Sequence, residues 1–181
     1  MKHGPWEILD SKKIYKSPWI EVKEDKVLTP DKKKGIYSTV KFNDSVHILP
    51  IQNNTVYLAE QFRYALGKQS IEVPSGCVDS GEIPIDAAKR ELKEELGITA
   101  KKITLIGTIA MSPSSIKGQS YLYIAENLEF GEQNLDGNEI IKKMELPFNE
   151  ALKLALNSEI QHNQSAILIL KKHIMDTEKN L

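Results

Sequence analysis

The stretch from Pro84 to Gly97 constrains the fold more than any other part of the chain. Proline suits a first helical turn, where its missing N–H would be unpaired anyway, and glycine suits the residue just past a helix end. Between them, Ile85-Asp-Ala-Ala-Lys-Arg-Glu-Leu-Lys-Glu-Glu-Leu96 has helical periodicity. On a wheel of roughly 100° per residue, Ile85, Ala88, Leu92 and Leu96 fall within about 80° of one another. Such a stripe needs a surface to bury it. Short runs of strand character supply one: Trp6–Leu9, Trp19–Val27, Tyr37–Phe42, Ser45–Ile51 and Thr55–Gln61 before the helix, Ile103–Ala110 and Ser120–Ala125 after it. Pro30-Asp-Lys-Lys-Lys-Gly35 and Asn53-Asn54 mark turns between them. Asn149–Asn157 and Ser165–Met175 read as two further helices. Strands, helix, strands and two helices predict an α+β chain, or a layered α/β/α one, with helices over an antiparallel or mixed sheet.

At 181 residues there is room for one domain with a small subdomain, and for a core that needs no disulfide. Twenty-four Lys and Arg against 25 Asp and Glu give a net charge of −1, which removes the electrostatic case for a duplex nucleic-acid binder. Cys77 is the only cysteine, and His3, His47, His162 and His173 have no metal-ligand spacing. Met1-Lys-His-Gly-Pro-Trp6 lacks the apolar stretch of a signal peptide, and runs such as Ala166–Leu170 are about a quarter of a membrane span. The expectation is a soluble cytoplasmic protein without membrane or nucleic-acid partners.

The chemistry sits on one flank of the first helix. Lys89 and Lys93 lie on the solvent side of the apolar stripe, while Glu91, Glu94 and Glu95 cluster on the other, at offsets that make helix neighbours. Arg90 is the only cation built in among them; its wheel position is roughly 100° from Glu91, better placed for Glu82 before the helix. Ala87, on the cluster's side, is small and leaves room. A Glu-rich face alone is most often a solvated surface. It is also what Mg²⁺ prefers: a few hard carboxylate oxygens completed by water and substrate phosphates. The preceding loop, Val73-Pro-Ser-Gly76 and Asp79-Ser-Gly-Glu82, strengthens the second reading, because glycines permit close approach and backbone carbonyls can complete a coordination shell.

Gly76, five residues, Glu82, seven residues, Arg90-Glu91-Leu92, one residue, Glu94-Glu95, one residue, Gly97-Ile98 fills all nine signature positions of a Nudix box, and the chain resembles a Nudix hydrolase. Glu60-Gln-Phe-Arg63, Glu72-Val-Pro-Ser-Gly76, Ser112-Pro113-Ser114, Glu139 and Pro147-Phe-Asn-Glu-Ala151 are similar to elements of the ADP-ribose pyrophosphatase and nucleoside diphosphate sugar hydrolase branch. The resemblance covers roughly Trp19 to the C-terminal helices. It implies a Nudix α/β/α sandwich over residues 44–181, preceded over residues 1–43 by a small N-terminal β-subdomain, often exchanged between subunits of a homodimer.

The resemblance further implies Mg²⁺, with Mn²⁺ as an alternative, held by Glu91 and Glu95, by Glu94 directly or through water, and by the Ser75 carbonyl. The metal would neutralise a pyrophosphate and acidify the attacking water. Arg63 would grip a phosphate; its bland role is a salt bridge. Trp19 matches a position where a partner-subunit aromatic stacks on the base; its bland role is a core aromatic. Pro113 lies in a loop that in this branch often carries an acid, but the matching position here is Gly118, between Lys117 and Gln119. The base then moves to Glu139, with Asp136 in reserve and Glu94 as fallback; the second acid of that later pattern is replaced by Lys142. The implied substrate is ADP-ribose or another nucleoside diphosphate sugar, cleaved to a nucleoside monophosphate and a sugar phosphate. GDP-mannose, NADH or FAD, diadenosine polyphosphates, and a decayed nucleotide-sensing module are the alternatives.

Overall fold

A computed structural model describes residues 1–135, 137 and 139–178. In chain order its elements are β1 (Lys2–His3), β2 (Trp6–Lys16), β3 (Ile20–Leu28), β4 (Lys34–Phe42), β5 (Ser45–Gln52), β6 (Thr55–Arg63), β7 (Lys68–Glu72), β8 (Ser75–Cys77), α1 (Pro84–Leu96), β9 (Ile98–Ala110), β10 (Ile116–Lys117), β11 (Gln119–Phe130), β12 (Ile141–Pro147), α2 (Phe148–Leu156) and α3 (Asn163–Glu178). They divide into two compact units, Met1–Asp44 with Ala110–Gln119, and Ser45–Ile109 with Ser120–Leu181.

The first unit is a five-stranded sheet in the order β1-β2-β3-β4-β10. Its strands are antiparallel except for β10, which runs parallel to β4 through Ile116↔Val40 and Lys117↔Lys41. The short segment before β10 is held to the same sheet: Val40 N–H donates to the Ser115 carbonyl at 2.8 Å, and the Tyr37 hydroxyl donates to the Ser114 carbonyl.

The second unit is built on a mixed sheet in the order β12-β6-β5-β11-β9, with β7 added on β6 and β8 on β5. Strand β5 explains the layering. It is buried from Ser45 to Ile51, and because successive side chains point to opposite faces, Val46 and Ile48 pack toward α1 while Leu49 and Ile51 pack toward α2 and α3. Its parallel neighbour β11 divides likewise, Tyr123 and Ala125 on one side, Leu122 and Ile124 on the other. Helices on both faces give the expected α/β/α sandwich. Strands β7, β8 and β12 were not legible as strands, β9 begins at Ile98 rather than near Ile103, and α3 begins at Asn163. Among the described residues no helix is long and apolar enough to cross a membrane.

Candidate active site

Helix α1 begins with Pro84 in its first turn and ends at Gly97, whose left-handed conformation (φ 62°) lets its N–H cap the carbonyls of Leu92 and Lys93. Its buried side chains are Ala87, Ala88, Leu92, Glu95 and Leu96. This corrects the wheel reading twice. Ile85 is only partly buried, and Ala87 leaves no room, because it is fully enclosed in the core beneath the helix. Short strand β8, paired with β5 through Ser45↔Cys77, Val46↔Gly76 and His47↔Ser75, covers the acidic flank and draws it into the protein.

The carboxylates are therefore not a solvated row. Glu95 is 3% exposed, and its Oε2 accepts the Ser75 N–H at 3.2 Å. Burial, then the neighbouring Glu91 charge, raise its carboxyl well above the ordinary value. Burial likewise pushes Glu91 up, against the nearby Arg90 guanidinium. Glu91 lies so close to Gly76 that a Cβ there would sit 1.9 Å from its Oε1, so only glycine fits beneath the carboxylate in its present position. Ser75 is thus placed beside Glu95, through its amide.

Arg90 makes the expected ion pair with Glu82, donating from Nε to Oε1 at 3.1 Å and from Nη2 to Oε2 at 3.0 Å. Nη2 also reaches the Cys77 carbonyl at 3.0 Å, and Glu82 accepts the Asp79 N–H at 3.0 Å, so the pair anchors the loop to the helix. The expectation that Arg90 points away from the acidic cluster is overturned: Nη1 donates to Glu91 Oε1 at 2.7 Å and to Glu94 Oε2 at 3.2 Å. A guanidinium presents five donors on a long stem, and its fork spans the angle that separates the Cβ directions. In this arrangement no three His, Cys, Asp or Glu side chains among the described residues are gathered so as to hold an ion. The donor set nonetheless suits a hard divalent cation: crowded, half-neutralised carboxylates, one of them buried on a single backbone N–H.

The remaining candidates divide between the units. Glu139 is exposed, yet its charge contributes to the upward shifts of Glu91 and Glu95, after burial and nearer charges. The segment that leads toward it is fixed on the end of α1: Gly131 N–H donates to the Gly97 carbonyl at 2.7 Å, Asn134 N–H to the Glu94 carbonyl at 3.1 Å, and Gln133 Nε2 to the Glu95 carbonyl at 2.6 Å. Asp136 lies outside the described residues. Lys142, on β12, pairs with Glu60 on β6 at 3.0 Å. Trp19 and Pro113 belong to the first unit, both exposed; Trp19 is at 72%, so it is not a core aromatic. In that unit a Cβ at Gly118 would meet Met111 Sδ at 3.1 Å and Phe42 Cβ at 3.5 Å, so a glutamate would have to displace Met111.

Arg63 is engaged with Glu72, which is 1% exposed: Nε donates to Oε1 at 2.9 Å and Nη2 to Oε2 at 2.6 Å. Behind Glu72 lies a buried polar group whose members lie apart in sequence. His162 Nδ1 is 3.6 Å from Glu72 Oε2 and 2.7 Å from Ser165 Oγ, and the His47 ring is 5.2 Å from that of His162. Burial, and then the His162 charge, hold His47 down to about 3, so it is neutral at physiological pH. Nothing in the spacing of His47, His162 and Ser165 announced this cluster.

Comparison with known proteins supplies the family. Residues 41–166 match the NUDIX domain model, and residues 6–40 match the nucleoside diphosphate sugar hydrolase N-terminal domain. The chain is 30% identical over 172 residues to an ADP-ribose pyrophosphatase of Bacillus subtilis, covering 93% of each sequence. It is 26% identical over 175 residues to a methanol dehydrogenase activator of Bacillus methanolicus, covering 95% of each. A crystal structure of ADP compounds hydrolase shares the fold with a TM-score of 0.86 at 20% identity, over 97% of both chains. With the NUDIX match spanning well over half of its length, the chain belongs to the Nudix hydrolases, enzymes that act on phosphorus-containing acid anhydrides.

Proposed function

We propose that the chain hydrolyses the pyrophosphate bond of nucleoside diphosphate sugars, ADP-ribose first among them, in a Mg²⁺-dependent reaction. The observation that carries this reading is the buried Glu95 beside Glu91, a carboxylate pair held against Ser75 and Gly76 at a cost that a divalent cation would offset. Support for the substrate class comes from the N-terminal domain match and from the Bacillus subtilis ADP-ribose pyrophosphatase.

Glu91 and Glu95 would hold the metal, with the Ser75 carbonyl, and Glu94 would join them directly or through water once Arg90 Nη1 releases its two acceptors. When bound, Mg²⁺ neutralises the pyrophosphate and acidifies the water that attacks phosphorus. Arg63, fixed on Glu72 through Nε and Nη2, keeps Nη1 for a phosphate oxygen. Glu139 takes the proton from the attacking water. Its exposure suits that role, since the proton must then pass to solvent.

The working unit in this reading is a homodimer in which exposed Trp19 stacks on the base held by the partner subunit, and Pro113 shapes the neighbouring loop. Leu9, Gly35 and Ile36 line an open groove of about 570 Å³ on the first unit, an apolar face for the second copy to cover. The exposed free thiol of Cys77 suits a reducing cytoplasm.

The test is product analysis on ADP-ribose, GDP-mannose, NADH, FAD and diadenosine polyphosphates, with Mg²⁺, Mn²⁺ or chelator. The expected result is metal-dependent release of nucleoside monophosphate and sugar phosphate, fastest from ADP-ribose. Binding without turnover would replace the reading by a nucleotide-sensing module.

A further inference from the structure

The buried polar group behind Arg63 calls for a role of its own. Ser165, fully buried in the first turn of α3, accepts the Val73 N–H at 2.9 Å and lies 2.7 Å from His162 Nδ1. Val73 directly follows Glu72, so the hydroxyl holds the backbone beside that carboxylate while the imidazole flanks the carboxylate itself, Nδ1 to Oε2 at 3.6 Å. Both Glu72 oxygens in turn bind Arg63, and the plane of a bidentate guanidinium follows the plane of its carboxylate. Arg63 Nη1 has no partner among the described residues, and the Arg63 side chain is 39% exposed. An ion pair that served only stability would not require this support, because the charged pair already satisfies itself. A guanidinium that must offer one nitrogen in one direction does require it, since its stem is long and its rotamers are many.

We propose that Ser165, with His162, is a positioning residue for Arg63: it locks the Glu72–Val73 segment so that Arg63 Nη1 meets a phosphate oxygen of the substrate in one fixed orientation. The proposal rests on the nucleoside diphosphate sugar reading, in which Arg63 grips that phosphate. Preorganisation of this kind acts on binding in the ground state and transition state alike, and so appears in KM rather than in kcat.

The experiment compares Ser165→Ala, which deletes the hydroxyl, with Ser165→Thr, which keeps it. His162→Phe, which keeps a ring without nitrogens, is the second probe should Ser165→Ala fail to fold. Kinetics with ADP-ribose and Mg²⁺ are paired with ¹⁵N NMR of the Arg63 Nε–H, whose exchange with water reports how firmly the guanidinium is held. In Ser165→Ala the KM rises about tenfold with kcat within about twofold, Nε–H exchange accelerates, and Ser165→Thr restores both. An unchanged KM in Ser165→Ala, where Arg63→Ala raises it, overturns the proposal. So does a loss of kcat and melting temperature together that Ser165→Thr does not recover. Should the wild-type protein hydrolyse no nucleoside diphosphate sugar, the functional reading fails separately. Arg63 Nε–H exchange then decides alone: faster exchange in Ser165→Ala supports the positioning role and unchanged exchange refutes it.

Discussion

Gly76→Ala tests whether Glu91 occupies a position that catalysis depends on. A Cβ at residue 76 would stand 1.9 Å from Glu91 Oε1, 2.1 Å from Cδ and 2.6 Å from Oε2. Ordinary contact distance is about 3.5 Å, so the carboxylate must retreat by about 1.5 Å. The obstructing atoms are the end of a flexible side chain, 13% exposed, and can swing aside. The fold therefore loses little, about 1 kcal/mol at the low end of overpacking costs. Function loses much more, since a displacement of this size at the reacting centre costs about a hundredfold in rate, roughly 2.7 kcal/mol of barrier. The assay is kcat/KM for ADP-ribose over a Mg²⁺ titration, beside a thermal melt. The expected variant melts within a few degrees of wild type, needs more Mg²⁺ and stays slow at saturation. Activity within threefold of wild type would refute the assignment of Glu91, whereas a collapsed melting temperature would show that the backbone, not the carboxylate, yields.

Other perturbations separate the remaining roles. Burial raises the Glu95 carboxyl above its unfolded value near 4.5, so in the metal-free protein this group favours folding below that value and the contribution is lost as pH rises through the folded one. Glu95→Gln should flatten that loss in metal-free melts taken at rising pH from the unfolded value upward, while abolishing turnover; an unaltered pH slope contradicts the burial argument. Glu139→Gln should lower kcat at saturating substrate and Mg²⁺ far more than it changes KM. Retained turnover there, with loss in Glu94→Gln, moves the base to the helix. Arg90→Ala should cost about 1–2 kcal/mol, because the Glu82 pair is partly solvated, and lower activity with it; an unchanged melt excludes the loop-anchoring role. Sedimentation of the wild-type chain should give a dimer, and a stable, fully active monomer would end the proposed contribution of Trp19 to a partner.

What could be read in the chain follows from the range of the forces involved. Pro84 and Gly97 bound α1 because backbone geometry is a local property. Strand β5 was legible because Val46, Ile48, Leu49 and Ile51 put apolar side chains on both of its faces. Strand β12 was not: Ile141-Lys-Lys-Met-Glu-Leu-Pro147 buries only Ile141 fully, and its pairing with β6 reaches across some eighty residues. Strand β8 is three residues long and exists as a strand only because β5 lies beside it.

The same distinction governs the site. Glu95 stands only about 20° from Ala88 on the helical wheel, so its burial follows from periodicity once its charge is set aside. Glu91 is covered by a different cause, the loop folded back through β8, which no property of the helix discloses. Arg90 illustrates the limit of reasoning from Cβ directions, since its guanidinium binds Glu82 and the flank of Glu91 and Glu94 together. That bridge bears on catalysis. With Nη1 on two prospective metal ligands, a cation entering the site competes with Arg90 for Glu91 and Glu94, while the bidentate contact with Glu82 keeps the guanidinium close. Arg90 can then give up Nη1 without leaving the loop it anchors, which reconciles a structural arginine with a carboxylate cluster that, in the proposed reading, opens to a metal.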